Sequence, residues 1–235
     1  MDIHRLSCRA GAEAARGIAV IIDVFRAFTC EPLMLRLGAS EIILEADIDR
    51  CRQVARAGNR LLVGEKDEVP IEGFDFGNSP SQILAAGPSV FAGRGVVHRT
   101  TAGVTGALIA MERAQEVLLA SFLNAAATAR YIRQCEPSVV SIVGMGVRTL
   151  APAPEDERCG DYIESLLTNS DYDHIDAVAN ILAADTAQRF LRGDKAYLPR
   201  EDPVYCLQRD LFDRPLRAER REDLVMSVPI GPATR

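Results

Sequence analysis

None of the six cysteines, at positions 8, 30, 51, 135, 159 and 206, forms a C-x-x-C pair, and none of the three histidines falls at zinc-finger spacing. A structural zinc site and a redox dithiol are therefore disfavoured, and six dispersed thiols read as a reduced, cytoplasmic protein. Basic charge is not in excess: 27 Lys and Arg stand against 33 Asp and Glu, a net of -6. Such a chain has no long-range attraction for a phosphate backbone or an anionic membrane surface, so neither nucleic acid nor membrane is expected as a partner. The apolar stretch Ile18–Ile22 is far too short for a signal-peptide core or a transmembrane helix, so export and membrane insertion are not expected. No internal repeat or low-complexity linker marks a domain boundary.

What is present is an ordinary globular composition, 48% apolar and 26% charged over 235 residues. A chain of this length buries roughly 70% of the surface its unfolded form exposes, enough for a core without disulfides or structural metal. Short aliphatic runs recur at 18–23, 41–46, 60–65, 95–98, 116–121 and 139–144, and continuous apolar runs of this length suit strands buried on both faces. Between them lie helical segments at 31–37, 48–57, 80–86, 104–112 and 123–134, and from about residue 157 the last third reads as mainly helical. The alternation predicts one compact α/β unit, or two intertwined lobes, with a three-layer α/β/α arrangement around a largely parallel or mixed sheet. The mixed-charge run RPLRAERRED (214–223) reads as a solvated surface stretch, and APAPEDE (151–157) as a long functional loop.

Placed on that scaffold, the polar residues gather at strand ends. Asp23 ends the first strand and Glu65 the third; Thr100 and Thr101 follow the fourth, Ser121 and Asn124 the fifth, and Gly144–Gly146 the sixth. Ligands of open α/β sheets bind beyond the carboxyl ends of the strands, so a small, polar, anionic ligand is expected there. In GNSPSQ (77–82), Ser79 reads as a helix N-cap with Pro80 at the first helical position, and such an N-terminus is also an anion site. RTTAGVTG (99–106) offers hydroxyls and glycines for the same purpose, without being a Walker loop: the spacing and lysine of G-x-x-x-x-G-K-[ST] are absent. G-x-G-x-x-G fails as well, because Thr149 stands where its last glycine belongs. Asp23, Glu65 and the trio Glu155, Asp156 and Glu157 are oxygen ligands of the kind Mg²⁺ accepts. Arg26 has the planar fork to clamp an anion, its structural alternative being an ion pair with Asp23.

Five ordered segments, IIDVFRAFTC (21–30), GEKDEVPIEGFDFGNSP (64–80), RTTAGVTGA (99–107), SFLNAAA (121–127) and EDERCGDYI (155–163), resemble the ComB family of 2-phosphosulfolactate phosphatases of the coenzyme M pathway, with a weaker echo at 202–210. The resemblance implies a ComB-like α/β fold and Mg²⁺-dependent hydrolysis of the phosphate monoester of a small sulfonated hydroxy acid, giving sulfolactate and phosphate. On this reading Asp23, Glu65 and Arg26 are catalytic, Asp23, Glu65 and Asp156 hold the metal, and Asn78, Ser79, Thr100, Thr101, Gly103, Ser121 and Asn124 bind substrate. The sequence departs from the commoner family pattern at Ala102 and Val104, at Cys30 in place of threonine, and at Gly160 in place of alanine.

Phosphoryl transfer needs charge neutralisation, in-line positioning and an activated nucleophile. Water activated by Mg²⁺ is the simpler option, with a phospho-aspartate on Asp23 as the other. A haloacid-dehalogenase pattern is not indicated, since Phe25 stands where its second aspartate belongs, and Cys30 lacks the C-x5-R loop of cysteine phosphatases. His98, near a strand end, reads as a packing residue or a general acid. Two alternatives are a phosphatase for another small organic phosphate and a non-catalytic binder of a phosphorylated metabolite. A homodimer is the expected assembly.

Overall fold

The computed structural model describes residues 1–231. In chain order the first half runs β1 (Asp2–Ser7), α1 (Cys8–Ala14), β2 (Ile18–Ile22), α2 (Ala27–Arg36), β3 (Glu41–Leu44), α3 (Ile48–Gly58), β4 (Leu61–Lys66), β5 (Val69–Pro70), α4 (Pro80–Ala86), α5 (Pro88–Phe91), β6 (Gly95–Arg99) and α6 (Gly103–Ala110). The second half runs β7 (Glu116–Ala120), a 3₁₀ turn at Phe122–Asn124, α7 (Ala125–Cys135), β8 (Val139–Gly144), α8 (Pro154–Thr168), α9 (His174–Ala183), α10 (Asp185–Arg192), α11 (Asp202–Cys206), β9 (Leu216–Arg221) and β10 (Leu224–Pro229).

The ten strands form one mixed sheet, in the order β1-β8-β2-β7-β9-β10-β3-β6-β4-β5. β2 is buried along its whole length, and its side chains alternate between two cores. Ala19 and Ile21 pack with Ala27, Phe28 and Met34 of α2 and Val104 and Ala107 of α6. Ile18, Val20 and Ile22 pack with Ala129 and Ile132 of α7 and Ile163 of α8. Helices thus cover both faces, the three-layer α/β arrangement that the strand–helix alternation predicts. No helix among the described residues is long and apolar enough to cross a membrane.

The C-terminal region corrects the sequence reading. The last third is helical only as far as Cys206; the charged run 214–223 is no solvated surface stretch but contains β9, an interior strand that pairs with β7 on one side and β10 on the other. Its period-2 pattern explains how it was hidden: Leu216 and Ala218 point into the core, while Arg217, Glu219 and Arg221 share the other face. There Arg217 and Arg221 each donate to Glu219, at 2.7 and 2.9 Å. β1 was missed for a similar reason. It pairs in parallel with β8, and its polar sequence includes Arg5, which donates to Asp161 of α8 at 2.7 Å. Gly160 makes room for that guanidinium, since a Cβ there would lie 2.5 Å from Arg5 Nη2.

The hairpin of β9 and β10 joins two parallel blocks, β1-β8-β2-β7 and β3-β6-β4, through antiparallel pairs on both sides. Three antiparallel steps reverse the strand direction between the blocks, so in a flat sheet the ends of β2 and β6 would lie on opposite edges. A hydrogen bond of 2.7 Å from Gly103 N–H, just past β6, to Asp23, just past β2, brings them together. The sheet must therefore twist and curl, and it does so around the strand ends that carry the polar residues.

Candidate active site

Asp23, Glu65, Glu155 and Asp156 are all buried and line one cleft. Asp23 Oδ1 accepts from Ala27 N–H at 3.0 Å and Oδ2 from Gly103 N–H at 2.7 Å. Those are the first residues of α2 and α6, so one carboxylate caps two helix N-termini, where the macrodipole favours negative charge. Position 103 must be glycine, because a Cβ would lie 2.7 Å from the carboxylate oxygen. Asp156, in the first turn of α8, accepts from Val24 N–H at 2.8 Å and Gly146 N–H at 2.7 Å, tying the end of β2 to the turn after β8. Glu65 accepts from Thr101 N–H at 2.6 Å, Glu68 N–H at 2.5 Å and the Thr101 hydroxyl at 3.1 Å. Glu155 is less tied, with one side-chain hydrogen bond of 2.7 Å from Thr186.

Crowding of these acids disfavours their charge. Burial, joined by the charge of Glu65, pushes Asp23 up to about 6, although the N–H groups of Ala27 and Gly103 pull the other way. Burial and the Asp23 charge push Glu155 up to about 7, and burial with both neighbours holds Asp156 well above the usual carboxylate range. Asp23 thus stands between Glu65 on one side and the Glu155–Asp156 pair on the other. A carboxyl whose folded value is raised keeps its proton after the unfolded chain has lost it, so stability falls as pH rises through that window. In excess chelator the protein is expected to lose a few kcal/mol between pH 4.5 and pH 8 from this site, at about 1.4 kcal/mol for each tenfold change in proton affinity. Thermal unfolding of the parent and of Asp23→Asn across that range isolates the effect; equal pH slopes in the two proteins would refute it.

The two sequence segments read as cradles for a foreign anion do hold anions, but those anions are the chain's own carboxylates. In the 99–106 loop, Thr101 N–H goes to Glu65, Gly103 N–H to Asp23, and Val104 N–H to the Thr100 hydroxyl at 2.9 Å. Thr101 lines the cleft; Thr100 does not, and acts as a cap for α6. The N-terminus of α4 receives Asp202, whose Oδ1 accepts from the Ser79 hydroxyl at 2.9 Å, Ser81 N–H at 3.0 Å and the Ser81 hydroxyl at 2.6 Å. Ser79 is therefore spent on an internal carboxylate and is absent from the cleft lining. Ser121 and Asn124 form a capping box before α7, with Asn124 Oδ1 accepting from Ser121 N–H at 3.0 Å and the Ser121 hydroxyl donating to Phe28 O at 2.9 Å. Ser121, Asn124, Ser79 and Thr100 thus lie outside the cleft lining, with their polar groups engaged in local structure, and Gly103 N–H serves Asp23. Glu157 lies outside the cleft, accepting from Ser7 at 2.6 Å, and Glu155 and Asp156 sit on a helix rather than a loop.

Arg26 lines the cleft but does not pair with Asp23. Its Nη1 donates to Asp202 Oδ2 at 2.7 Å and to Tyr197 O at 2.9 Å, and the guanidinium lies 5.3 Å from the centre of the Phe190 ring. Asn78 also lines the cleft, and behind it His98 Nε2 lies 3.2 Å from Asn78 Oδ1 while His98 Nδ1 lies 2.9 Å from Glu31. His98 and Glu31 are fully buried, so His98 supports Asn78 from within the core instead of facing a ligand. Cys30 is fully buried outside the cleft and burial pushes its thiol well up, which removes it as a nucleophile. Glu68, Arg148 and Arg189 complete the charged part of the lining and were not found from sequence. Glu68 lay in plain view inside the 64–80 segment, whereas Arg148 and Arg189 carried no local signal.

Fold and cleft define an α/β protein in which buried carboxylates from both halves of the sheet converge with three arginines on one cleft. Residues 7–214 match the sequence profile of the 2-phosphosulpholactate phosphatase family, and the chain belongs to that family. A probable 2-phosphosulfolactate phosphatase of Bacillus subtilis is 29% identical over 197 residues, covering 82% of this chain and 83% of the relative. The protein so described from Clostridium perfringens strain SM101 is 30% identical over 219 residues, 86% of each chain. That from Deinococcus radiodurans is 35% identical over 156 residues, 66% of this chain and 64% of its own.

Proposed function

We propose that the protein is an Mg²⁺-dependent phosphoric monoester hydrolase that converts 2-phosphosulfolactate into sulfolactate and inorganic phosphate. The observation that carries this reading is the cleft lining, where four buried carboxylates face Arg26, Arg148 and Arg189. A simple anion binder gains nothing from acids beside its ligand, whereas a phosphatase needs carboxylates for metal and water and cations for the anionic groups of its substrate.

The donor set fits Mg²⁺: it is all oxygen, and a cation would offset the burial and the Glu65 charge that raise Asp23. Among the described residues no group of three or more acidic, histidine or cysteine side chains is placed to hold a metal ion together. Mg²⁺ ordinarily takes one or two carboxylates, with water and substrate phosphate completing the octahedron. Asp23 and Asp156, with Glu65 beside them, would hold it, and when bound it would neutralise charge on the phosphoryl oxygens. Arg26 and Asn78 orient the phosphate. Glu155, the least tied carboxylate, takes a proton from the attacking water as its oxygen bonds to phosphorus and the ester P–O bond breaks. The leaving alkoxide of sulfolactate takes a proton from solvent and Glu155 gives its proton back to solvent, which balances the hydrolysis.

The test is phosphate release from 2-phosphosulfolactate with Mg²⁺ and then with excess EDTA. Turnover is expected with the metal, and a fall of roughly a hundred-fold or more without it, for loss of several kcal/mol of charge stabilisation. Undiminished turnover after exhaustive chelation rejects the metal; no release from this ester under any condition rejects the substrate.

A further inference from the structure

The turn between β4 and β5 carries a carboxylate that the reaction above does not use. Asp67 and Glu68, the two residues linking the strands, have φ of 52° and 74°. Both central positions of this turn are left-handed, the conformation for which Asn-Gly is the favoured pair, and a side chain such as glutamate is strained there. The turn is nevertheless held firmly, by Asp67 N–H donating to Thr101 Oγ1 at 2.8 Å and Glu68 N–H to Glu65 Oε2 at 2.5 Å. The strain delivers the Glu68 carboxylate into the cleft.

There it meets two arginines from distant parts of the chain. Arg189 of α10 grips it with both terminal nitrogens at 2.8 Å, and Arg148, from the turn after β8, places Nη2 3.7 Å away. All three side chains line the cleft, and Arg189 Nε is buried with no hydrogen-bond partner. The contrast with Arg26 and Asp202 is informative. That pair is 4% and 0% exposed, and the acid is saturated with donors, as a structural pair requires. Arg189 and Glu68 are 22% and 27% exposed, and the cation keeps a spare donor, so their pair is open to exchange with a ligand.

We propose that Arg148 and Arg189 form a subsite for a second anionic group of the substrate, and that Glu68 is a built-in stand-in which fills the subsite until that group displaces it. Resting on the phosphatase reading for its substrate, this assigns the phosphate to the carboxylate end of the cleft and the far anion, carboxylate or sulfonate, to the paired arginines. Planar guanidinium forks suit either oxyanion. Phosphomonoesters with a neutral far end would leave Glu68 in place and gain nothing from the subsite, which makes it a determinant of specificity.

The inference is tested by equilibrium binding of 3-sulfolactate, which has both far groups and no phosphate, so phosphate release plays no part in the result. Calorimetry on the full chain is expected to show sulfolactate binding to the parent and roughly ten- to hundred-fold weaker binding to Arg189→Met and to the half-exposed Arg148→Met, for loss of a charge-assisted contact. Glu68→Gln, which keeps the turn and removes the competing charge, should bind about two- to five-fold tighter. Arg192→Met, on the same helix, should match the parent. Lactate and isethionate, carrying the carboxylate alone and the sulfonate alone, identify the group that is read: the one whose binding falls in Arg189→Met. Binding unchanged in both arginine variants, weaker binding in Glu68→Gln, or no binding of sulfolactate to the parent would overturn the proposal. Failure of the phosphatase reading would appear separately, as sulfolactate binding without hydrolysis of its phosphate ester.

Discussion

Asp23→Asn is expected to lower turnover on the order of a thousand-fold while leaving a folded protein of nearly parental stability. The substitution preserves shape but removes a negative charge that acts on both Glu155 and Asp156, and with it one carboxylate oxygen. The amide also loses one of two backbone hydrogen bonds, because only its oxygen can accept, from Ala27 N–H or from Gly103 N–H. That loss is worth about 1 kcal/mol. It is offset by the relief of a buried charge that Glu65 and burial already push up to about 6. A residue kept for structure alone would give the reverse pattern, with stability falling and turnover per folded molecule intact. Circular dichroism, thermal unfolding and phosphate release on the same preparation separate the two; a folded Asp23→Asn protein that works at the parental rate removes Asp23 from the site.

Much of the frame was legible because it is written in local signals. The six apolar runs became β2, β3, β4, β6, β7 and β8, and Ser79 with Pro80 marked the start of α4 as capping chemistry dictates. The strands that escaped are polar: β1 carries Asp2, His4 and Arg5, β9 carries Arg217, Glu219 and Arg221 on one face, and such residues mask a strand in a sequence read for continuous hydrophobicity. The acids of the site were legible too: Asp23, Glu65 and Asp156 all reach one cleft. What the sequence hid was the use of the helix N-termini. An N-terminus that can hold an anion looks the same whether the anion arrives from solvent or from a residue 121 positions further along, as Asp202 does for Ser81. Thr100, Ser121 and Asn124 show the same ambiguity, since a hydroxyl or amide at a strand end serves equally as a ligand contact or as a cap.

Asp202→Ala is expected to lower folding stability by about 3 to 5 kcal/mol, the ordinary result of removing one member of a buried ion pair. Asp202 is fully buried and receives Arg26 on one oxygen and three donors from Ser79 and Ser81 on the other. Alanine leaves a guanidinium that is only 4% exposed without its counter-charge and opens the α4 N-terminus to unpaired N–H groups. Arg26→Met should cost less, because the remaining carboxylate keeps its serine donors and the helix N-terminus, and the methionine stem can still pack on Phe190. Combining the two changes should be less harmful than their sum, since the double variant contains neither uncompensated charge. Urea unfolding of the four proteins measures the coupling directly. Additive losses would mean that Arg26 and Asp202 act independently, and that Arg26 is placed in the cleft by Tyr197 and Phe190 rather than by Asp202.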